Sequence, residues 1–152
     1  MQGWRKRQED AHLAAVSKGE KKDIDVFGVF DGHGGKEISK FVSNHFLDEL
    51  VANKNLPSDM SLALKETFIK MDEIMQTKEG IEEIKKYSRQ SKEEDERQSK
   101  NEPPNSQMQL LAQLMPPKDP EANDIFMRTG CTACVMGIDE TNKKICDDHP
   151  LC

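Results

Sequence analysis

Several features that mark whole classes of protein are missing from this sequence. Its 152 residues contain no apolar run long enough to cross a bilayer, and no signal-type apolar stretch follows Met1. The net charge is −6, no basic patch is present and there is one Trp, which argues against non-specific nucleic-acid binding. These absences argue against the membrane, secreted and nucleic-acid-binding classes. They predict a soluble intracellular protein, cytoplasmic or nuclear.

Cysteine is absent from the first 130 residues and confined to the last 22. A disulfide-stabilised domain spreads its cysteines along the chain, so we expect reduced thiols. The alternative is a zinc site formed by Cys131, Cys134, Cys146 and either His149 or Cys152, because four ligands are available. The first two lie in a strand-like run, where residues three apart point to opposite faces. The sequence therefore favours packed structural cysteines over zinc ligands.

The first half of the chain has a globular pattern. Strands are predicted over Ala11–Ser17 and Ile24–Phe30, and the second ends in a glycine-rich turn. Apolar residues at three- and four-residue spacing predict a helix over Lys36–Ala52, and Ser58 or Asp59 is placed to cap a second helix. The order strand, strand, helix, helix predicts an α+β fold in which a helix pair packs on one face of antiparallel strands.

The middle of the chain is dominated by charge. From residue 78 to 102, seven positive and eight negative side chains nearly cancel. A helix can continue through Ile81 and Ile84, but only polar residues and prolines follow over 88–105. Such a segment buries too little apolar surface to offset the entropy lost on ordering. We therefore expect an inserted, largely disordered segment.

Folded structure is expected to resume after this segment. A short apolar stripe covers Gln107–Met115, and the small and β-branched residues of Gly130–Ile138 are typical of a buried strand. A turn at Asp139–Asn142 leads into Lys143–Ile145, the start of a hairpin partner, but the following residues lack a strand pattern. The predicted organisation has four parts: 1–76 and 107–145 as domain segments, 77–106 as the disordered insertion and 146–152 as a divergent tail.

Two short segments carry side chains suited to chemistry on phosphate. Asp31 and Gly32 follow a predicted strand, where a carboxylate and an accessible carbonyl suit a hard cation such as Mg²⁺ or Mn²⁺. His33 can donate a proton to a leaving oxygen, and Arg5 can hold a phosphate by two parallel hydrogen bonds. From the residues alone, plainer alternatives stay open: Asp-Gly is commonly a turn, and Arg5 and Glu9–Asp10 fit a solvated surface.

Three motifs in order resemble protein phosphatase 2C, the family of metal-dependent serine/threonine phosphatases. They are Met1–Arg5 with Glu9–His12, then Val26–Gly35, then Thr129–Ala133. The resemblance implies part of an α-β-β-α sandwich. It also implies phosphoprotein substrates and attack on phosphorus by a water held between two Mg²⁺ or Mn²⁺ ions.

The resemblance assigns three residues to the metal ions. Asp31 matches the aspartate that bridges both ions, and Gly32 matches the residue whose backbone carbonyl binds one of them. Glu9 matches an acidic ligand on the same side, acting directly or through water. These three residues form the predicted metal set.

Three further residues are assigned to catalysis and substrate binding. Asp10 is similar to the carboxylate that holds metal-bound water, and His33 to the histidine proposed as general acid. Arg5 resembles the arginine that binds the substrate phosphate. The implied reaction hydrolyses phosphoserine and phosphothreonine without a phosphoenzyme intermediate.

The sequence also departs from the family pattern. The family's catalytic domain is longer, with further strands and aspartates expected after Ile145, and Met127 stands where some members have an aspartate. Two interpretations follow. The chain is either a phosphatase whose catalytic machinery is incomplete here, or a truncated, inactive relative that binds phosphoproteins or partner proteins.

Overall fold

A computed structural model describes residues 7–16, 24–56, 58–99, 126, 128–139, 142 and 144–148. Within these residues the chain forms, in order, β1 (Ala11–Ala15), β2 (Ile24–His33), α1 (Glu37–Ala52), α2 (Met60–Met75), α3 (Lys78–Ser99), β3 (Gly130–Asp139) and β4 (Lys144–Asp148). Helices combined with an antiparallel sheet confirm the predicted α+β class. No helix in this part of the chain is long and apolar enough to cross a membrane.

The sheet is built around β2. Its four strands lie in the order β1-β2-β3-β4, and each neighbouring pair is antiparallel. β3 pairs with β2 along its whole length, from Ile24↔Asp139 to His33↔Gly130. The sequence predicted that this strand ends at Phe30, but the pairing with β3 extends it through His33. Asp31 and Gly32 therefore lie within a strand that has a partner rather than in a turn.

The hydrophobic core lies between the helices and one face of the sheet. Side chains alternate along a strand, so Val26 and Phe30 of β2 are both buried against the helices, as is Val135 of β3. Aromatic rings join the layers: the ring centroids of Phe30 and Phe46 are 5.9 Å apart, and those of Phe46 and Phe68 are 5.0 Å apart. The predicted helix pair on one sheet face is confirmed.

The opposite sheet face is exposed in this structure. Val29 on β2 is 57% exposed, and Met136 and Ile145 on the next two strands are also exposed. Asp31 lies on this face, two residues along β2 from Val29. The candidate site is therefore open to solvent on the side away from the helices.

The connection between α1 and α2 is held by polar side chains. The Asp59 carboxylate accepts a hydrogen bond from the Leu62 backbone N–H at 3.0 Å, which confirms Asp59 as the N-cap of α2. The amides of Asn53 and Asn55 both donate to Glu66 on α2. These hydrogen bonds, first that of Asn53 and then that of Asn55, hold the pKa of Glu66 below its ordinary value.

Helix α3 corrects the sequence-based interpretation of the charged segment. We expected 77–106 to be largely disordered, with a helix allowed through Ile84, but Lys78–Ser99 is helical, so that expectation is wrong for 85–99. Ile84 is 1% exposed and belongs to the core, and Tyr87, one turn further along, packs partly against it. A narrow apolar stripe is sufficient to hold α3 in a helical state, because α1 and α2 already provide an apolar surface on which it packs. The rest of that segment and the predicted stripe Gln107–Met115 lie outside the described residues.

Strand β4 corrects a second expectation. The residues after Ile145 were predicted to be a divergent tail, but β4 continues through Asp148 and pairs with β3 from Asp139↔Lys144 to Val135↔Asp148. The turn before it is set by the Asp139 carboxylate, which accepts a hydrogen bond from the Asn142 backbone N–H at 2.9 Å. An outer strand needs only backbone pairing on one side, so its side chains need not alternate strictly.

A polar cluster also joins α3 to α1. His45 Nε2 lies 2.9 Å from Glu83 Oε2, the Tyr87 hydroxyl donates to Glu83 Oε1, and the Asn44 amide donates to the Tyr87 oxygen at 2.9 Å. Partial burial raises the pKa of Glu83, but the hydrogen bonds from Tyr87 and His45 outweigh it and the net pKa is lowered. Burial raises the pKa of Tyr87, and its bond to Glu83 raises it further.

Replacing Ile84 tests whether α3 belongs to the core. Ile84→Ala should lower the free energy of unfolding by about 2–5 kcal/mol, because a buried side chain is lost and a cavity remains. The control is Ile69→Ala, the same change at a side chain that is 63% exposed, where we expect a change within about 0.5 kcal/mol. Urea unfolding followed by circular dichroism measures both. Equal, small effects would show that α3 does not pack on the core.

The Glu83 cluster predicts an acid-sensitive contact. The folded pKa of Glu83 lies below its ordinary value of 4.5, so its stabilisation is fully present above that pH and is lost as the pH falls through the folded pKa. Glu83→Gln should therefore lose less stability than the wild type between neutral pH and about pH 3. Glu82→Gln, on the exposed side of the same helix, is the control. An unchanged pH dependence in Glu83→Gln contradicts this account.

Candidate active site

The first two motifs meet at one end of the sheet. β1 pairs with β2 through Ala11↔Phe30, and the same antiparallel register, continued by two residues, places Asp10 opposite Asp31 and Glu9 opposite Gly32. Asp10 and Asp31 are exposed, and Glu9 is half-buried. His33 follows Gly32 on β2, so the structure brings together five of the six residues that the sequence singled out.

Gly32 is the point of closest contact between these segments. A Cβ on this buried glycine would lie 2.3 Å from the Glu9 carbonyl oxygen and 2.8 Å from Ser39 Oγ. The Ser39 hydroxyl donates a hydrogen bond to the Glu9 carbonyl at 2.5 Å, so α1 fastens the segment before β1 to the end of β2. Only glycine allows this approach without displacing the backbone of Glu9.

Ser39 was missed by the sequence analysis. It is 1% exposed, although it lies on α1 between the core residues Ile38 and Val42. The sequence feature that could have identified Ser39 is its hydroxyl side chain on the apolar stripe of an amphipathic helix. Gln8 was also missed: its side-chain amide donates to Asp10 Oδ2 at 2.7 Å and so helps to orient that carboxylate.

His33 connects the second motif to the third. It lies opposite Gly130 in the pairing of β2 with β3, and a Cβ on Gly130 would lie 2.6 Å from His33 Nε2. The imidazole therefore lies over Gly130, at the start of the Thr129–Ala133 motif, and is exposed to solvent. Arg5, the predicted phosphate ligand, lies outside the described residues.

The donor atoms at this end of the sheet fit a hard divalent cation. Glu9, Asp10 and Asp31 offer carboxylate oxygens and Gly32 offers a carbonyl, the donor type that Mg²⁺ and Mn²⁺ prefer. In the described ranges, however, no three His, Cys, Asp or Glu side chains converge closely enough to hold a metal. These residues therefore match a hard cation in donor chemistry, although their side chains do not converge on one point in the described part of the chain.

The cysteines behave as strand residues. Cys131 is half-buried on the helix side of β3, while Cys134 is exposed on the other side. Their opposite orientations are those expected from the strand pattern. Cys146 lies on β4, opposite Gly137, and His149 and Cys152 lie outside the described residues.

Comparison with known proteins identifies the family. The model of the family described as protein phosphatase 2C matches residues 1–88, more than half of the chain. This chain belongs to the protein phosphatase 2C family. Two relatives from Paramecium tetraurelia, "Probable protein phosphatase 2C 3" and "Protein phosphatase 2C 1", are each 52% identical over 88 residues. The matches cover 57% of this phosphatase 2C chain but 29% of each relative.

A solved structure extends the likeness in fold. The structure described as "Structure of a C.elegans sex determining protein" matches with a TM-score of 0.50 and 22% identity. The match covers 89% of this phosphatase 2C chain and 24% of the other one. The likeness in fold therefore reaches beyond residue 88, where the family-model match ends.

Replacing Gly32 tests the close contact between the first two motifs. Gly32→Ala should destabilise the fold by about 1–3 kcal/mol, because the new methyl group overlaps the Glu9 backbone. Gly28→Ala is the control on the same strand, where the atoms nearest to a Cβ are side-chain atoms of Phe30 and Val135, at 3.1 and 3.3 Å, rather than backbone. Urea unfolding measures both variants. If Gly32→Ala costs no more than Gly28→Ala, Glu9 does not approach Gly32 as described.

Proposed function

We propose that this chain forms the N-terminal part of a metal-dependent protein serine/threonine phosphatase acting on phosphoserine and phosphothreonine. The observation that carries the proposal is the meeting of Asp31, Gly32 and His33 on β2 with Glu9 and Asp10 before β1. Membership of a family whose curated relatives are named protein phosphatases supports it. The chain spans 29% of the length of those relatives, so the phosphatase activity itself is part of this proposal.

Three groups would hold the cations: Asp31 and Glu9 supply carboxylates and Gly32 a carbonyl. Asp10, whose carboxylate accepts a hydrogen bond from Gln8, would hold water beside them. When bound, two Mg²⁺ or Mn²⁺ ions lower the pKa of the attacking water and stabilise the charge that develops on phosphate oxygens. The β1–β2 register keeps the carboxylates of Asp10 and Asp31 on the same exposed face.

The exposure of the site favours a macromolecular substrate. Asp10, Asp31 and His33 are all exposed at the open end of the sheet rather than enclosed in a cavity. A phosphorylated side chain on another protein can reach such a surface, and the His33 imidazole can then donate a proton to the leaving seryl or threonyl oxygen. We assign phosphate binding to Arg5 by its place in the first motif.

Replacing Asp31 tests the proposed function. We expect the purified chain to bind Mn²⁺ in a calorimetric titration and to release phosphate from a phosphothreonine peptide in an Mn²⁺-dependent manner. Asp31→Asn should lower both the Mn²⁺ affinity and the rate of phosphate release by more than about tenfold. Even the loss of a residue that only supports a metal ligand typically costs about that much. Asp48→Asn, which removes an exposed carboxylate from α1, is the matched control.

Two results would contradict the proposal. Phosphate release that is indifferent to Mn²⁺ or to Asp31→Asn would exclude the assigned site. Phosphopeptide binding without turnover and without metal dependence would instead indicate a non-catalytic binding protein.

A further inference from the structure

Glu37, the first residue of α1, is a buried acid beside the candidate site. Among the described residues it is the only charged side chain that is buried, with 7% of its surface exposed. Its Oε2 atom is enclosed, and no hydrogen-bond donor in the described part of the chain reaches it. A buried carboxylate oxygen without a donor is costly, so its presence requires an explanation.

The local backbone makes room for this carboxylate. Gly35 has a φ of +154°, and a Cβ at this position would lie 2.0 Å from Glu37 Oε2 and 3.1 Å from Thr129 Cγ2. The carboxylate therefore occupies the volume that any other residue at position 35 would need. The N-terminus of α1 favours a negative charge, and Lys36 at the N-cap provides no side-chain cap. That attraction offsets only part of the cost of burial.

The carboxylate is connected to the metal-binding end of β2 through Gly35. The Gly35 carbonyl oxygen lies 3.0 Å from the Cβ position of Gly32. With standard bond lengths, Glu37 Oε2 is within roughly 11 Å of the Gly32 Cα. At this distance a buried charge acts more strongly than an exposed one, because water and salt screen it less.

The positive side chain next to Glu37 in the sequence is engaged elsewhere. Lys36 precedes Glu37 in the chain, but its Nζ forms an ion pair with Glu94 on α3. Glu37 therefore adds a fourth negative charge near Glu9, Asp10 and Asp31, where two divalent cations would bring four positive charges. The arrangement favours cations without requiring Glu37 to touch them.

We propose that Glu37 is a positioning residue that strengthens divalent-cation binding at Asp31 and Gly32 through its buried, unpartnered charge, without being a ligand. This inference rests on the proposed metal-dependent function. It explains the presence of a costly carboxylate at a position where a glutamine would fill the same space. The buried Glu37 carboxylate lowers the stability of the fold, and in return its charge raises the affinity of the site for cations.

Two variants separate the role of charge from that of shape. Glu37→Gln keeps the shape and removes the charge, so the Mn²⁺ dissociation constant should rise about three- to tenfold, while the melting temperature in EDTA should stay the same or increase. Glu37→Asp keeps the charge and shortens the side chain, so Mn²⁺ affinity should remain closer to that of the wild type although the melting temperature falls. Calorimetric Mn²⁺ titration and thermal unfolding measure these two properties independently of activity.

A matched variant controls for net charge. Glu73→Gln removes one carboxylate from the exposed surface of α2, where Glu73 pairs with Lys70, and should leave Mn²⁺ affinity unchanged.

If Glu37→Gln binds Mn²⁺ like the wild type, the proposal is wrong while the phosphatase function stands. If Glu37→Gln melts lower in EDTA and Glu37→Asp binds Mn²⁺ more weakly than Glu37→Gln, the role is structural and the proposal is also wrong. If the wild-type chain itself binds no Mn²⁺, the proposed metal-dependent function fails and this inference fails with it.

Discussion

The pairing of β2 with both of its neighbours is the interaction on which the rest of this structure depends. Each antiparallel register is set residue by residue, and a shift of one residue would turn every side chain of the strand to the opposite face. In the observed register Val26 and Phe30 point into the core, while Asp31 lies on the exposed face. The same pairing that forms the core therefore presents the carboxylates to solvent.

The motif residues are held by close backbone contacts rather than by a deep pocket. Glu9 approaches Gly32, and the imidazole of His33 lies over Gly130. Ser39, buried in the first turn of α1, ties the Glu9 carbonyl to this arrangement. A site built in this way is closely packed at its base and open to solvent above.

Two kinds of burial coexist at the start of α1. Ile38 and Val42 face the core, whereas Glu37 and Ser39 place polar groups beside the candidate site. The apolar contacts stabilise the fold, and the burial of the polar groups lowers that stability in part. Helix α3 is different, because it is attached through Ile84 and through hydrogen bonds and ion pairs to α1. Such contacts are partly exposed and contribute less stability than those of the core.

Periodicity and motif order in the sequence were sufficient to predict the first two strands, α1, β3 and the family, and they limited the cap of α2 to Ser58 or Asp59. These features depend on neighbouring residues along the chain, so local patterns reveal them. The helical state of Lys78–Ser99 and the pairing of β4 depended on surfaces supplied by distant parts of the chain, which composition alone does not show. The roles assigned to the site residues from the motifs remain predictions.

The amino-acid sequence by itself determined which side chains are available for chemistry and the order in which their motifs occur. Only the tertiary structure decided that Glu9 meets Gly32, that His33 covers Gly130 and that Ser39 and Glu37 are buried beside them. The physical reason is that these contacts join segments separated along the chain, so their geometry follows from strand register and helix packing. Neither of these is encoded in a short window of residues.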